Sequence, residues 1–333
     1  MQIATALAAL AGRPRPEHLA PLAGGRNNQV FRVDTAGEPF VLKLYHRDPN
    51  DPRDRLAHEW SFLTYARQRN VAAVPEPIAV DTEAGASLLS FVPGERVQAG
   101  QVERWHLDEA LSFILQLNAP GATAARLPLA AEACMSVADH LSIVDRRVER
   151  LRNLDPEAPC CAAAEELVRG ELLPLWRETR ERVSGATRTL GIILDETLEA
   201  GAECVSPSDV GFHNALVSGR RVTFIDFEYA GRDDPAKLVA DLFCCPEAPP
   251  PFGEFESFVD RLFAGLGLAD VHAARCRLLI DVHRLKWACI VLNQFLPIGR
   301  QRRAFAAQTG AAEAPEALLA RTRRSLAQIG YSS

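Results

Sequence analysis

Three polar side chains in the second half of the sequence have the types and the spacing that phosphoryl transfer requires. Asp209 and Asn214 stand five residues apart in a loop that leads into an apolar strand, and Asp226 follows the next apolar run. In this pattern the first aspartate orients a hydroxyl group and receives its proton, while the asparagine and the second aspartate hold Mg²⁺ between phosphates. Each piece alone is also typical of ordinary turns, because Asp and Asn favour loops. We predict Asp209 as the catalytic residue and Asn214 and Asp226 as metal ligands.

A lysine in the first half of the sequence supplies a cation for the phosphates. Lys43 lies in the apolar run 40–45, where an unpaired ammonium group is costly to desolvate. On its own, this pattern also suits an edge strand with the ammonium group in water. Glu59 favours the first interpretation, because it lies on the apolar stripe of a predicted helix, residues 53–69, and therefore faces inward. A strand lysine followed by an inward-facing helix glutamate is the phosphate clamp of kinase-type folds, so we expect Lys43 and Glu59 to form an ion pair.

Two adjacent glycines, Gly24 and Gly25, precede a predicted strand at about 29–33, and Asn28 lies between them and that strand. Adjacent glycines let backbone amides approach phosphate oxygens without interference from a Cβ atom. The segment is not a G-x-G-x-x-G motif, and in isolation it is equally typical of an ordinary turn. Its position ahead of the lysine strand indicates a nucleotide-binding loop.

The elements that must position these residues change in character near residue 93. Strands are predicted before that point, around the helix at 53–69, and helical periodicity dominates after it. The predicted strands lie at about 29–33, 40–45, 78–80 and 87–91. The predicted helices lie at about 103–118, 131–154, 163–184, 189–200, 234–244, 254–266, 271–296 and 316–328, with a compact β segment at 204–226. The sequence therefore predicts an α+β fold with a small β-rich lobe, residues 1–93, and a large helical lobe, residues 94–333.

Composition limits what the protein binds. Of 333 residues, 47% are hydrophobic and 24% charged, which is enough for a substantial core. With 43 acidic and 37 basic residues the net charge is −6, which argues against nucleic acid or an anionic membrane as a partner. The eight cysteines contain no C-x-x-C spacing, and reduced cysteines indicate a cytoplasmic location. A phosphate compound therefore needs a local site, in which lysine, backbone amides and Mg²⁺ supply the positive charge.

Taken together, the motifs resemble the aminoglycoside phosphotransferase and choline kinase family, which are small-molecule kinases. The phrase at 224–231, Phe-Ile-Asp-Phe-Glu-Tyr-Ala-Gly, is close to the metal-binding phrase of choline and ethanolamine kinases. The glycine pair with Asn28 resembles the G-G-x-x-N nucleotide loop of the family. The resemblance covers roughly residues 20–245 and implies a bilobal protein-kinase-like fold, ATP and Mg²⁺ as cofactors, and transfer of the γ-phosphoryl group to a hydroxyl of a small molecule.

The resemblance also implies roles for residues that the spacing alone does not single out. It places the adenine at a hinge between the lobes that includes Phe91 and Val92. It lets Glu228 assist the metal site through a second ion or a water molecule. It makes Asp241 the helix aspartate that usually braces the catalytic loop.

The catalytic loop departs from the family pattern. Pro207 and Ser208 stand before Asp209, where relatives usually have His-Gly or His-Asn. Phe212 and His213 stand before Asn214, where many relatives have a Pro-Gly pair. This histidine could contact phosphate or substrate, or it could brace the loop.

The phosphate acceptor is predicted to bind between the catalytic loop and the C-terminal helices. Asp281, His283 and Trp287 lie on one predicted helix with unusually polar neighbours and are candidate substrate residues. The alternative is a mixed surface helix with Trp287 in the core. An aminoglycoside, an amino alcohol and a sugar-like compound all remain open as acceptors.

Two other functions compete with this one. A protein kinase is disfavoured because only about eight residues separate Asp226 from the next helix, which is too short for a phosphorylatable activation segment. A non-catalytic nucleotide-binding regulator would be expected to lose one of the key residues, and none is missing. The substitution at Pro207 keeps this second alternative open.

Overall fold

The computed structural model of the chain describes residues 1–22, 28–47, 53–121, 127–199, 201–297 and 313–330. The predicted nucleotide-loop residues Gly24 and Gly25 lie outside these ranges. The strands are β1 (Pro16–Pro21), β2 (Asn28–Thr35), β3 (Phe40–Tyr45), β4 (Pro77–Asp81), β5 (Ala86–Ser90), β6 (Glu95–Arg96), β7 (Cys204–Ser206), β8 (Ala215–Ser218), β9 (Arg221–Phe224) and β10 (Gly231–Asp233). The α-helices are α1 (Gln2–Leu10), α2 (Arg55–Gln68), α3 (Arg104–Leu117), α4 (Val137–Arg150), α5 (Cys161–Leu167), α6 (Leu173–Thr189), α7 (Pro235–Cys244), α8 (Phe255–Leu266), α9 (Asp270–Leu292) and α10 (Pro315–Leu326).

The first five strands form an antiparallel sheet in the order β1-β2-β3-β5-β4. Because neighbouring residues of a strand face opposite sides, β3 presents Phe40 and Leu42 to one face and Lys43 to the other. The first face is covered by α1, whose Leu7 joins the same apolar cluster. The predicted α+β fold is confirmed. Helix α1 was not predicted, since the elements expected from the sequence begin at about residue 29.

Two short antiparallel pairings organise the segment between 204 and 233. In one, β6, β8 and β9 lie side by side, and in the other β7 pairs with β10. Gly231 begins β10 at a point of close backbone approach, where an added Cβ atom would lie 2.5 Å from the amide nitrogen of Ala130. Glycine is therefore required there by packing. These pairings bring the loop after β7 and the loop after β9 to one end of the paired strands.

Compactness divides the chain into two units. The first comprises Met1–Ala133, Glu203–Asp233 and Glu247–Gly267, and the second comprises Cys134–Ala202, Asp234–Pro246 and Leu268–Ser333. By this measure α3 and the β7–β10 segment group with the five-stranded sheet. The predicted division at residue 93 concerns the nucleotide-binding lobe and stays a prediction.

The second unit is built around α9, which contacts α4, α6, α7 and α10. The helix predicted at 189–200 is wrong, because α6 ends at Thr189 and the chain then turns at Gly191, with φ +68°. The backbone beyond it bonds elsewhere. Leu194 O accepts from Ala138 N at 2.9 Å, and Leu198 N donates to Met135 O at 2.7 Å. Contacts with Met135 and with Ala138 in the first turn of α4 take the place of the i to i−4 bonds that a helix would need.

Candidate active site

Lys43 and Glu59 form the ion pair that the sequence predicted. The Lys43 Nζ atom lies 2.7 Å from Glu59 Oε2, and the two residues are only 5% and 2% exposed. β3 lies between β2 and β5, so the edge-strand alternative for the lysine is wrong. Burial of two unlike charges requires close pairing, since an unpaired charge in the interior costs several kcal/mol.

Asp226 completes a second ion pair on the same lysine. Its Oδ1 atom also lies 2.7 Å from Lys43 Nζ, and its side chain is 38% exposed. Burial acts to lower the pKa of Lys43, but the Glu59 and Asp226 carboxylates outweigh it and hold that pKa well above 10.5. The lysine therefore stays charged at neutral pH. Asp226 also has φ +69°, a left-handed conformation that costs energy for a residue other than glycine.

Glu59 has two further partners that the sequence did not indicate. The Tyr45 hydroxyl donates to Glu59 Oε2 at 2.6 Å, and the Phe227 backbone N–H donates to Oε1 at 3.2 Å. Tyr45 falls on the same face of β3 as Lys43, two residues later, which is the signal that could have identified it. We refer to Lys43, Tyr45, Glu59 and Asp226 as the Lys43 cluster.

The loop after β7 presents Asp209, whose side chain is 34% exposed. The loop is strained at Ser208, which has φ +64°, and the Ser208 N–H donates to Ser206 Oγ at 3.0 Å. The amide of Asn214 donates both to Asp209 O, at 3.2 Å, and to Asp209 Oδ2, at 3.3 Å. His213 Nε2 lies 3.5 Å from Asp209 Oδ1, which favours the loop-bracing role for this histidine.

The hairpin of β8 and β9 brings Asn214 and Asp226 to the same end. Ala215 pairs with Phe224, and the Ile225 N–H donates to Asn214 O at 2.8 Å. Asp226 follows Ile225 directly, so the two predicted metal ligands lie next to each other at the end of the β8–β9 hairpin. Their carboxylate and amide oxygens suit a hard cation such as Mg²⁺, which takes few protein ligands and completes its shell with phosphate and water. Across the described ranges, no three His, Cys, Asp or Glu side chains group together as an all-protein metal cage.

Glu228, also predicted to assist the metal, is 4% exposed and has protein partners. The Asn28 amide donates to its Oε2 atom, and Arg55 Nε lies 4.0 Å from the same atom. Burial and then the Glu228 charge raise the pKa of Tyr229, which hydrogen-bonds the carboxylate. Glu228 therefore links the strand that follows the predicted nucleotide loop to the start of α2.

Aromatic rings support the segment after β9. Phe227 stacks on Phe62 of α2 with a centroid distance of 4.5 Å, and Phe224 stacks on Phe113 of α3 at 4.7 Å. Phe113 also lies 6.5 Å from Phe227. Stacked aromatic pairs add about 1 kcal/mol each beyond area burial. This series of rings fixes the backbone on either side of Asp226.

The predicted adenine hinge follows β5 directly. Phe91 and Val92 are half-buried, and the Arg32 guanidinium lies 4.7 Å from the centre of the Phe91 ring. The Ser90 N–H donates to Glu76 O at 3.0 Å, which ties the hinge to the segment ahead of β4. The role of Phe91 and Val92 in base binding stays a prediction.

In the second unit, Asp241 is the centre of a buried set of charges. It accepts from Lys286 Nζ, lies 3.2 Å from Lys237 Nζ, and accepts from Trp287 Nε1 at 3.1 Å. Burial acts to raise the pKa of Asp241, but Lys286 and then Lys237 dominate and lower it below 3.8. We refer to Lys237, Asp241, Lys286 and Trp287 as the Asp241 network.

Asp281 and His283, the other candidate substrate residues, are also nearly fully buried in this unit. Asp281 pairs with Arg182 at 2.7 Å and with Arg284 at 2.8 Å. His283 Nε2 lies 2.8 Å from His140 Nδ1. The alternative of a mixed surface helix is wrong, because α9 buries Asp281, His283, Arg284 and Lys286. A substrate role for Asp281, His283 and Trp287 stays a prediction.

Comparison with known proteins agrees with these motifs. The sequence profile of the phosphotransferase enzyme family matches residues 18–279. No curated protein sequence matches the chain significantly. In the part of the chain that the structure describes, no helix is long and apolar enough to cross a membrane.

Solved structures share the fold at low sequence identity. A choline/ethanolamine kinase family protein from Mesorhizobium loti is 20% identical, with a TM-score of 0.57 over 98% of this chain and 99% of that chain. A choline kinase from Streptococcus pneumoniae is 14% identical, with a TM-score of 0.59 over 98% of each chain. An amicoumacin kinase in complex with AMP-PNP, Ca²⁺ and Ami is 14% identical, with a TM-score of 0.57 over 98% of this chain and 92% of that chain. With the profile match extending over well more than half of its length, the chain belongs to the phosphotransferase enzyme family.

Proposed function

We propose that the protein is a small-molecule kinase that transfers the γ-phosphoryl group of ATP to a hydroxyl group. The observation that carries the proposal is the position of Lys43, which lies 2.7 Å from both Glu59 and Asp226. A lysine held by a helix carboxylate next to a strand-end aspartate is the arrangement that binds nucleotide phosphates in kinase-type folds. Membership of the phosphotransferase family supports the same chemistry.

The residues divide the reaction among them. Lys43 holds the α- and β-phosphates, and Glu59 keeps its ammonium group in place. Asp209 orients the acceptor hydroxyl and receives its proton, a contribution typically of 10²–10⁴-fold. The amide of Asn214, which already donates to Asp209, fixes the carboxylate for this step.

A divalent cation fits the oxygens of Asn214 and Asp226. When bound, Mg²⁺ neutralises charge that develops on the transferred phosphoryl group. Asp226, whose carboxylate contacts Lys43, would hold the cation beside that lysine. The Glu228 carboxylate contacts Asn28 and Arg55. We therefore assign it an indirect role at the metal site, through a second ion or a water molecule.

ATP as donor is supported by the amicoumacin kinase structure, which contains AMP-PNP and Ca²⁺. We assign the adenine to Phe91 and Val92, and the phosphate loop to Gly24, Gly25 and Asn28. The acceptor is an aminoglycoside, an amino alcohol or a sugar-like compound. Asp281, His283 and Trp287 are retained as candidate acceptor residues. The free thiols of the eight cysteines support a cytoplasmic location.

The decisive experiment is a screen of small hydroxyl compounds for ATP-dependent phosphorylation. It compares the wild-type protein with Asp209→Asn, and with Asp108→Asn as a matched control. Asp108 forms an exposed ion pair with Arg261 and belongs to no part of the proposed site. We expect the Asp209→Asn variant to lose about 10²–10⁴-fold in turnover, while the Asp108→Asn variant keeps wild-type turnover.

The alternative of a non-catalytic nucleotide-binding protein predicts a different result. It expects Mg·ATP to bind the wild-type protein without phosphorylation of any compound in the screen. Turnover that survives intact in Asp209→Asn would equally contradict the proposed catalytic role.

A further inference from the structure

Tyr45 shares the carboxylate oxygen on which Lys43 depends. Its hydroxyl lies 2.6 Å from Glu59 Oε2, and Lys43 Nζ lies 2.7 Å from the same atom. On its other side the hydroxyl lies 3.0 Å from Ser87 Oγ, on the neighbouring strand β5. The Lys43 ammonium also lies 5.2 Å from the centre of the Tyr45 ring. The tyrosine is therefore in contact with both members of the ion pair.

The hydroxyl acts as a donor toward Glu59. Burial, followed by the charge of Glu59, raises the pKa of Tyr45 well above 10.0, so the phenol keeps its proton. Because that proton points at the carboxylate, Ser87 donates its own hydroxyl proton to the Tyr45 oxygen. A hydrogen bond to a charged acceptor is stronger than one between neutral groups.

Both oxygens of Glu59 are held by groups other than the lysine. Tyr45 holds Oε2, and the Phe227 backbone N–H holds Oε1. Phe227 is itself fixed by stacking on Phe62 of the helix that carries Glu59. The carboxylate therefore has two anchors that do not depend on the contact between Lys43 and Asp226.

On this basis, and resting on the proposed function, we propose that Tyr45 is a positioning residue for the transfer reaction. Its hydroxyl fixes Glu59, and Glu59 in turn fixes the Lys43 ammonium where the ATP phosphates bind. Tyr45 acts through Glu59 and has no contact of its own with the reacting atoms. An aromatic residue in a strand is typical of an apolar core, so its place on the face of Lys43 is the one sequence signal for this role.

The test compares Tyr45→Phe with Tyr65→Phe. Both tyrosines are 8% exposed, and Tyr65 donates its hydroxyl proton to Leu117 O at 2.7 Å. Each substitution removes one buried hydroxyl: Tyr45→Phe loses the bonds to Glu59 and Ser87, and Tyr65→Phe loses the bond to Leu117 O. The measurements are urea unfolding and the release of phosphate from Mg·ATP, with water or an acceptor from the screen.

We expect Tyr45→Phe to lower kcat/KM for ATP about tenfold, as loss of a bond to a charged group predicts. Tyr65→Phe should stay within about twofold of wild type in kcat/KM, since its bond is to the neutral carbonyl of Leu117 at the end of α3. A purely structural role would instead give both variants the same kinetic behaviour at similar loss of stability.

A double-mutant cycle with Glu59→Gln tests the route of the effect. If Tyr45 acts through Glu59, Tyr45→Phe should change kcat/KM less than about twofold in the Glu59→Gln background, because the interaction is already weakened.

Equal kinetics for Tyr45→Phe and Tyr65→Phe would overturn the positioning role. A full tenfold loss in both backgrounds would also overturn it, since Tyr45 would then act independently of Glu59. Failure of the proposed function would be seen differently, as a wild-type protein that neither binds nor hydrolyses Mg·ATP. That outcome would contradict the proposed function and this role together.

Discussion

The Lys43 cluster and the Asp241 network both bury lysines against carboxylates, but they differ in how open their charges are. In the Lys43 cluster, Asp226 exposes more than a third of its side chain and adopts a left-handed backbone conformation. In the Asp241 network, the aspartate is 3% exposed and contacts two buried lysines. The first arrangement can exchange a partner for a ligand, whereas the second is closed by protein groups alone.

This difference is the reason why we propose the Lys43 cluster as the site and expect the Asp241 network to act as a brace. Strained conformations and accessible charges concentrate where a protein acts on ligands, because the rest of the fold must hold them in place. A closed buried network contributes little net stability when complete, yet removal of one charge leaves the others without compensation. The two regions should therefore respond to matched substitutions in opposite ways.

The largest expected effect is on catalysis in the Lys43 cluster. Asp226→Ala removes a proposed metal ligand and the exposed partner of Lys43. We expect turnover to fall by about a thousandfold, since a lost metal contact costs several kcal/mol of transition-state stabilisation. Phosphoryl transfer at ordinary Mg²⁺ concentration measures this, with urea unfolding as a check on folding. Wild-type activity in Asp226→Ala would contradict the assignment of the site.

The next effect is on stability in the Asp241 network. Asp241→Asn leaves Lys237 and Lys286 buried without their counter-charge, so we expect the free energy of unfolding to fall by about 3–5 kcal/mol. The exposed pair of Asp108 and Arg261 provides the control, and Asp108→Asn should cost less than about 1 kcal/mol. Chemical denaturation gives both values. Similar small losses in the two variants would mean that the network is not the brace described above.

The smallest effect is a pH dependence from His283. Burial and then Lys286 hold the pKa of this imidazole well below 6.5, so it is neutral in the folded state. The groups facing it are His140, Lys286, Asp241 and Lys237. Below about pH 6.5, His283 binds a proton in the unfolded chain but stays neutral in the folded chain. The free energy of unfolding should therefore decrease by up to about 1.4 kcal/mol for each unit by which the pH is lowered.

Unfolding of wild type and His283→Gln between pH 8 and about pH 5 tests this slope. The variant should show a shallower slope than wild type, while His18→Gln, whose histidine is 69% exposed, should keep the wild-type slope. An identical slope in the wild type and in His283→Gln would assign the proton uptake to another group.

The sequence by itself predicted the elements that carry the site. Short apolar segments bounded by turn residues located β2, β3, β4 and β5 to within a residue or two, and the first of them also alternates in polarity. Charged residues within apolar segments of the sequence also predicted a contact. Lys43 and Glu59 could be paired from the sequence because neither can be buried alone. Asp209, Asn214 and Asp226 followed from their spacing and from the family resemblance.

Only the tertiary structure decided which contacts those residues make. The donation from Tyr45 to Glu59 and the bond between Asn28 and Glu228 join residues that are distant along the chain. The failed helix at 189–200 has the same cause, since its Leu194 and Leu198 backbone groups bond to Ala138 and Met135 at the start of α4. Local patterns determine which side chains must be buried, because burial cost is a property of the residue. The choice of partner is a property of packing, and it is fixed only when distant segments meet.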